Sequence, residues 1–405
     1  MTVIINIGAR TIPMANIGII INSLRTCGGE ERVVSLMANE WVKDHNVTIY
    51  SFETRNPKPE EQNDYPISPK IRIERVYMPN DGFCARYLKV LYFYTGFINT
   101  SLCRKFLKKL YYPKSFIKEW IDRINASDLD IVIAISGNNT MLLGQIKDHI
   151  SCKTIGWEHS SFEGYFDRKT GAFKNRIETY VENATKLDKI VLLNQDIERK
   201  FKAIGLNNTT IIPNPKSFSM SQKASMSNHS IVTCGRIEAE KGYFDLVKAF
   251  ANFHKDYPEW SLTIVGGGSL KPKLDNLIDS LRLSKSITVT GYVKDVQKYL
   301  LNASIYVMTS RWEGFPMSVT EALEAGLPVV AFDIPAMEPL VSDNIEGLIV
   351  PSFDNVKFAD ALKKLASNEE KRVRMSCSAI QKALSLDPQN VALIWDSVFK
   401  ELTGH

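Results

Sequence analysis

Glu313 and Glu321 stand eight positions apart in the stretch Arg311-Trp312-Glu313-Gly314-Phe315-Pro316-Met317-Ser318-Val319-Thr320-Glu321. Glu313 shares a turn with Gly314, Pro316 falls where a first helical residue is favoured, and Met317 to Ala325 has helical composition. Gly326 closes that helix, and Pro328 opens the strand-like run Val329 to Phe332. Glu321 then lies about five residues into the helix, roughly 7–8 Å along its axis. The stretch thus offers a carboxylate before a helix, bare N–H groups at its start and a second carboxylate along its side. A ligand with hydroxyls at both ends and phosphates between them, such as a nucleotide diphosphate sugar, matches that layout.

Three further junctions have anion-binding character, and each has a plainer reading beside it. Cys27-Gly28-Gly29 lies between a strand-like run and a helix, so backbone can approach a ligand at the helix start; a tight turn would look the same. In Cys234 to Gly242, Arg236 as a fork and Lys241 as a point charge can address one phosphate, or can be ordinary surface charge. Val265-Gly266-Gly267-Gly268-Ser269 suits close approach to a nucleotide, or a flexible turn. His159, in Trp157-Glu158-His159-Ser160-Ser161, stands at the C-terminal end of an expected strand, where open α/β sheets place ligand-binding residues, although rim or core histidines are common. Asp128-Leu129-Asp130 has the look of a metal-binding pair, but it precedes a strand and so faces away from any cleft. No metal and no cofactor is expected; Arg, Lys and helix N-termini would carry the leaving-group charge.

Elements that alternate must position these residues. Ile17–Ile21, Val47–Tyr50, Ile131–Ile135, Thr154–Trp157 and Lys189–Leu193 read as strands of a first unit, with a helix over Glu31–Lys43. Ile231–Gly235, Leu262–Gly266, Ile287–Val289, Ile305–Met308 and Val329–Ala331 form a second series, with a helix over Tyr243–Phe253. The expected fold is α/β: two doubly wound, Rossmann-like domains facing a cleft. The boundaries are residues 1–215, a Ser/Lys-rich linker at 216–230, a second domain at 231–385, and a terminal helix in 386–405 packing back on the first domain. Residues 1–13 precede the first strand, either as an extension or because translation starts at Met14.

Composition agrees with a soluble globular protein of two domains: 405 residues, 44% hydrophobic and 23% charged. Six scattered cysteines without a CxxC suit a reducing compartment and no structural zinc. The first 21 residues lack a signal-peptide pattern, and no apolar run is long enough to span a bilayer. Charge is uneven: residues 1–215 carry 29 Lys/Arg against 23 Asp/Glu, and residues 82–118 hold eight basic side chains and no acidic one. Aromatics interleave with those eight, which suits an anionic membrane surface or a lipid pyrophosphate, or else a solvated helix face beside a core stripe. No recognition motif for nucleic acid accompanies the charge.

Taken in order, Gly28-Gly29, His159, Gly235-Arg236 to Lys241-Gly242, Gly291-Tyr292-Val293 and Glu313 to Glu321 resemble family 4 of the retaining glycosyltransferases with the GT-B fold. The likeness is strongest over 231–350, moderate over 16–45 and 154–215, and absent over 51–130. It implies that Arg236 and Lys241 bind the donor diphosphate, capped from the other domain by Gly28 and Gly29. It also implies that Glu313 contacts the transferred sugar, with main chain of Phe315, Met317 and Ser318 holding sugar and phosphate. Glu321 would bind the ribose, Val293 and Gly266 would lie at the nucleoside, and His159 would stand beside the reacting sugar. Glu30-Glu31 departs from the family's frequent small residue before its acid.

The resemblance therefore implies a metal-independent, retaining hexosyl or N-acetylhexosaminyl transferase using a UDP-sugar. Its acceptor would be a lipid-linked oligosaccharide of O-antigen or capsule assembly, reached from the cytoplasmic membrane face through residues 82–118. A nucleotide-sugar epimerase or hydrolase on the same fold, or a non-catalytic sugar-nucleotide-binding subunit, are the competing readings.

Overall fold

The computed structural model describes residues 14–25, 28–53, 65–77, 82–95, 101–167 and 169–404, with the side chains of 101–105 left aside. Residues 1–13, Cys27 and positions 96–100 of the basic segment lie outside the described residues.

Two parallel sheets are present. The first contains β1 (Asn16–Ile21), β2 (Asn46–Glu53), β3 (Arg72–Tyr77), β4 (Ile131–Ile135), β5 (Lys153–Trp157), β6 (Lys189–Leu192) and β7 (Thr209–Ile211), in the order β3-β2-β1-β4-β5-β6-β7. The second contains β8 (Ser230–Cys234), β9 (Ser261–Val265), β10 (Ile287–Val289), β11 (Ile305–Met308), β12 (Val329–Phe332) and β13 (Gly347–Val350), in the order β10-β9-β8-β11-β12-β13. Order reverses between β1 and β4 and again between β8 and β11, so each sheet has a switch point where the loops after neighbouring strands diverge and leave a crevice. The central strands are continuous apolar runs because helices cover both faces; β4 (Ile-Val-Ile-Ala-Ile) and β12 (Val-Val-Ala-Phe) are buried along their whole length. This is the doubly wound pair of domains the sequence implies.

β3 escapes the apolar pattern because it is an edge strand, Arg-Ile-Glu-Arg-Val-Tyr, with one buried residue. The helices Phe83–Thr95, Ser101–Tyr111 and Lys114–Asn125 fill the segment before β4.

Two connections join the domains. Residues 216–229 form no helix or strand, yet they are packed rather than a free tether. The Lys216 ammonium is buried between Glu324 (2.6 Å) and Asp387 (2.7 Å), and Lys223 also reaches Glu324 at 2.6 Å. The last helix spans Pro388–Thr403, and its Trp395 and Phe399 meet Trp41 edge-on with ring centroids 5.2 and 5.5 Å away. His45 on Asp396 and Lys189 on Glu401 fasten the same helix to the first domain.

Candidate active site

The site lies where the C-terminal strand ends of the two sheets meet. On the second domain, the loop after β11 carries Glu313 and leads into the helix Met317–Glu324. Pro316 is not its first residue: it precedes the helix with extended backbone (φ −74°, ψ 95°), and the helix starts at Met317. Glu321 is therefore the fifth helical residue, with its side chain 7% exposed. Glu313 accepts hydrogen bonds from Lys241 Nζ at 2.6 Å and Ser310 Oγ at 2.8 Å.

Lys241 is thus held by Glu313, while Arg236 points into solvent, 79% exposed and 3.8 Å from Glu240. The two cations expected on one phosphate thus rest on different carboxylates, Glu240 and Glu313. Gly266 and Gly268 also have an occupation that the sequence did not reveal. A Cβ at Gly266 would lie 2.0 Å from the Gly235 carbonyl, and one at Gly268 2.4 Å from that of Ile237. Their missing side chains let the Arg236 loop hydrogen-bond along the β9 loop, Ile237 N–H donating to the Gly267 carbonyl at 2.8 Å. Protein packing accounts for Gly266 without a nucleoside. Val293, half-buried, lies just before Lys294 and Val296, which line a cavity of about 280 Å³ with Arg32, Ser217 and Glu321.

The first domain supplies the opposite wall. Gly29 begins the helix Gly29–Trp41, two residues earlier than the sequence pattern implied, and a Cβ there would lie 3.7 Å from Met317 Cγ. The Glu31 carboxylate folds against Gly28, where a Cβ would lie 2.1 Å from it. His159 meets the second domain through its backbone: a Cβ on Gly314 would come 2.5 Å from the His159 carbonyl, so only glycine fits the turn. The His159 ring packs on Trp157 at 4.5 Å, and its Nε2 is buried with no hydrogen-bond partner. Burial pushes that imidazole down to about 3, so it is neutral near pH 7. Asn194 caps the helix after β6 through Ile197 N–H and donates its amide to the Gly314 carbonyl at 3.2 Å.

Arg32, which sequence reasoning missed, closes the cleft. Arg32 pairs with Glu321 and donates to Ser217 Oγ at 3.1 Å, with Tyr65 under its guanidinium at 5.2 Å. Burial raises the Glu321 carboxyl above the usual carboxylate range, although Arg32 pulls it the other way. No spacing signal reaches from Arg32 to Glu321 across 289 positions. Asp128 and Asp130 lie at the far edge: Asp130 and the Asp128 carbonyl bind Asn16 at 2.7 and 2.9 Å, as strand-start residues do. No group of three His, Cys, Asp or Glu suited to a metal occurs among the described residues.

The second domain thus presents a lysine, two carboxylates and a helix N-terminus at a switch point, an arrangement able to hold phosphate between two hydroxyl-bearing groups. Comparison with known proteins agrees. Residues 217–382, covering this wall, match the family described as glycosyl transferases group 1. A glycosyltransferase of Haemophilus influenzae, itself uncharacterised, is 30% identical over 265 residues, 64% of this chain and 73% of that protein. The amylovoran biosynthesis glycosyltransferase AmsD of Erwinia amylovora is 24% identical across 94% of this chain and 98% of its own. Among solved structures, a variant of Staphylococcus aureus TarM in complex with fondaparinux, α-GlcNAc-glycerol and UDP superimposes with a TM-score of 0.72 at 15% identity. The match covers 95% of this chain and all of that one. With the likeness running through both domains and the family match covering residues 217–382, the chain belongs to the group 1 family of glycosyltransferases, on the GT-B fold.

Proposed function

We propose that this glycosyltransferase moves a hexosyl or N-acetylhexosaminyl unit from a UDP-sugar to a hydroxyl of a lipid-linked glycan, with retention and without a metal, in surface-polysaccharide assembly. The observation that carries this reading is the lysine–glutamate wall. Lys241 and Glu313 neutralise each other next to the start of the Met317–Glu324 helix. A diphosphate is a stronger partner for Lys241 than one carboxylate, and on binding it would release Glu313 to accept hydroxyls of the sugar. Glu321, on the next turns of the same helix, would exchange Arg32 for ribose hydroxyls. Arg236 has the reach to join the diphosphate from its exposed position, and main chain at Phe315, Met317 and Ser318 would complete the pocket. Gly28, Gly29 and His159 would face it from the first domain. The UDP in the TarM complex and the polysaccharide role in AmsD's name support the donor and pathway class.

Support for a membrane-bound acceptor comes from the helix Phe83–Thr95. Phe83 (87% exposed), Tyr87, Val90 and Tyr94 form one outward stripe at helical spacing, with exposed Arg86 beside it. Other parts of the basic segment follow the plainer reading of a helix face beside a core stripe: Tyr92 and Phe116 are core, and Lys108 pairs with Glu182 at 3.0 Å. No helix among the described residues is long and apolar enough to cross a membrane. Peripheral attachment at the inner membrane face through the Phe83 stripe fits these facts.

A thermal-shift panel of nucleotide sugars tests the donor, since a ligand that binds only the folded state raises the midpoint. Mass spectrometry of products with a lipid extract then tests transfer. Stabilisation by UDP-hexoses and a glycosylated lipid are expected. A donor consumed with no glycosylated product would instead establish hydrolysis or epimerisation.

A further inference from the structure

Resting on the donor-site reading above, we infer that the Arg32–Glu321 pair is a latch. It keeps the ribose-side carboxylate occupied in the empty enzyme, and a nucleoside diphosphate must open it to bind. The pair joins the two domains: Arg32 lies on the first domain's helix Gly29–Trp41, and Glu321 on the second domain's helix Met317–Glu324. The same guanidinium donates to Ser217 Oγ at 3.1 Å and lies over the Tyr65 ring at 5.2 Å. With Arg32 in place the Glu321 side chain is 7% exposed, which leaves a ribose little of the carboxylate to reach. Both side chains line the cavity of about 280 Å³ together with Ser217, Tyr65 and Lys294, so the contact borders free space rather than a sealed core.

Glu324, three residues further along the same helix, shows what a fixed contact between these segments requires. It accepts from Lys216 and Lys223 at 2.6 Å each and from the Met220 N–H at 2.8 Å. Lys216, with 3% of its side chain exposed, also reaches Asp387 at 2.7 Å, and its backbone N–H donates to the Leu386 carbonyl at 2.8 Å. Both chain crossings between the domains, at 216 and at 386–387, are thus tied to the C-terminal end of the helix that carries Glu321. Withdrawing Lys216 would strand buried carboxylates, which is costly. Arg32 differs, because its side chain is 32% exposed and can turn to water, so its pair is the exchangeable one. The Glu324 network is the pivot, and the Arg32–Glu321 pair is the contact that opens.

Arg32 and the ribose hydroxyls therefore compete for one acceptor. A ligand that binds only the unlatched form loses apparent affinity in proportion to the latched fraction, so a pair closed in about nine molecules of ten costs roughly tenfold. By linkage, a bound nucleotide weakens this tie between the domains to the same extent. Removing the cation removes the competitor. Binding should then tighten on loss of a residue at the site, the opposite of what loss of a binding residue or of local structure does.

Isothermal titration calorimetry of UDP, GDP and ADP with wild type and Arg32→Met tests the latch; methionine keeps an unbranched stem over Tyr65 and removes the charge. Arg32→Met should bind the preferred nucleotide roughly tenfold more tightly than wild type. In a Glu321→Gln background the same substitution should leave affinity unchanged, because the gain comes through Glu321. If Arg32→Met does not fold, Arg32→Lys carries the test: an ammonium lacks the planar fork of Arg and holds Glu321 less well, so affinity should still rise, though by less. Folded variants that bind no more tightly than wild type overturn the latch and leave the donor reading standing. An equal gain in the Glu321→Gln background also overturns it, by placing the effect elsewhere. If neither wild type nor variant binds any of the three nucleotides, the donor reading fails and the latch with it.

Discussion

The two walls of the cleft share a plan, loops at the C-terminal ends of parallel strands, and differ in how their carboxylates are balanced. On the second domain Glu313 has Lys241, and Glu321 has Arg32 reaching over from the first. On the first domain, among the described residues, Glu30 and Glu158 accept their hydrogen bonds from hydroxyls. Paired charges can be exchanged for those of an incoming anion with little net change in the field, which suits a diphosphate. Carboxylates without cations instead favour protons and hydroxyls. The contrast fits the proposal that the second domain's wall holds the donor.

The sharpest break of this comparison is Lys241→Ala. It removes the cation proposed for the diphosphate and leaves Glu313 facing the phosphates as a bare negative charge. Turnover should fall roughly 10²–10³-fold, by analogy with loss of one preorganised charge-stabilising group, and the UDP-induced thermal shift should shrink. Unchanged turnover with an unchanged shift would remove Lys241 from the donor wall.

Next is the Arg32–Glu321 pair. Arg32→Ala leaves a carboxylate buried without its cation, and stability should fall by about 1–3 kcal/mol, below the range for a fully buried pair because Arg32 keeps some solvent contact. Arg32→Ala/Glu321→Gln should recover most of the loss in urea denaturation. If the double variant is as unstable as the sum of the singles, the two side chains do not interact.

What the sequence disclosed follows the same division. The donor wall is local: Lys241 follows β8 by a few residues, and Glu313 and Glu321 share one loop and helix, so type and spacing were enough. Its two surprises, Gly266 committed to backbone packing and Arg32 resting on Glu321, depend on contacts across 31 and 289 positions that no pattern records. The first domain's wall is assembled from three strand ends, with Glu30 after β1, Ser136 after β4 and Glu158 after β5, and it becomes visible only when those strands lie side by side. Strands buried on both faces were legible as apolar runs. β3, half polar on its edge, and β13, a short run of Gly-Leu-Ile-Val, were not.

The pH dependence of stability separates the walls by sign. Glu30 is raised from 4.5 in the free side chain to about 7, so its protonated form favours the fold. That contribution is full below pH 4.5 and lost as pH rises through 7, worth at most about 3 kcal/mol. Glu30→Gln, which stays neutral, should therefore be more stable than wild type at pH 8 and similar to it at pH 4.5. His159 runs oppositely: depressed from 6.5 to about 3, it supports the fold above pH 6.5 and withdraws that support as pH falls toward 3. His159→Asn should flatten the acid side of the stability curve. Equal pH slopes in all three proteins would mean that neither group titrates in the buried setting described.

The smallest effect on the folded chain, and the most specific to the acceptor, belongs to the Phe83 stripe. Phe83→Ser/Tyr87→Ser removes exposed aromatic surface, so stability should move by no more than about 0.5 kcal/mol and UDP binding should not change. Binding to vesicles with 30% phosphatidylglycerol, by contrast, should weaken, because the rings contribute burial at the lipid boundary while Arg86 contributes charge. Arg86→Gln should lower binding at low salt and matter little at high salt, where screening has already removed its share. If the aromatic pair is lost with no change in vesicle binding, the stripe does not face a membrane.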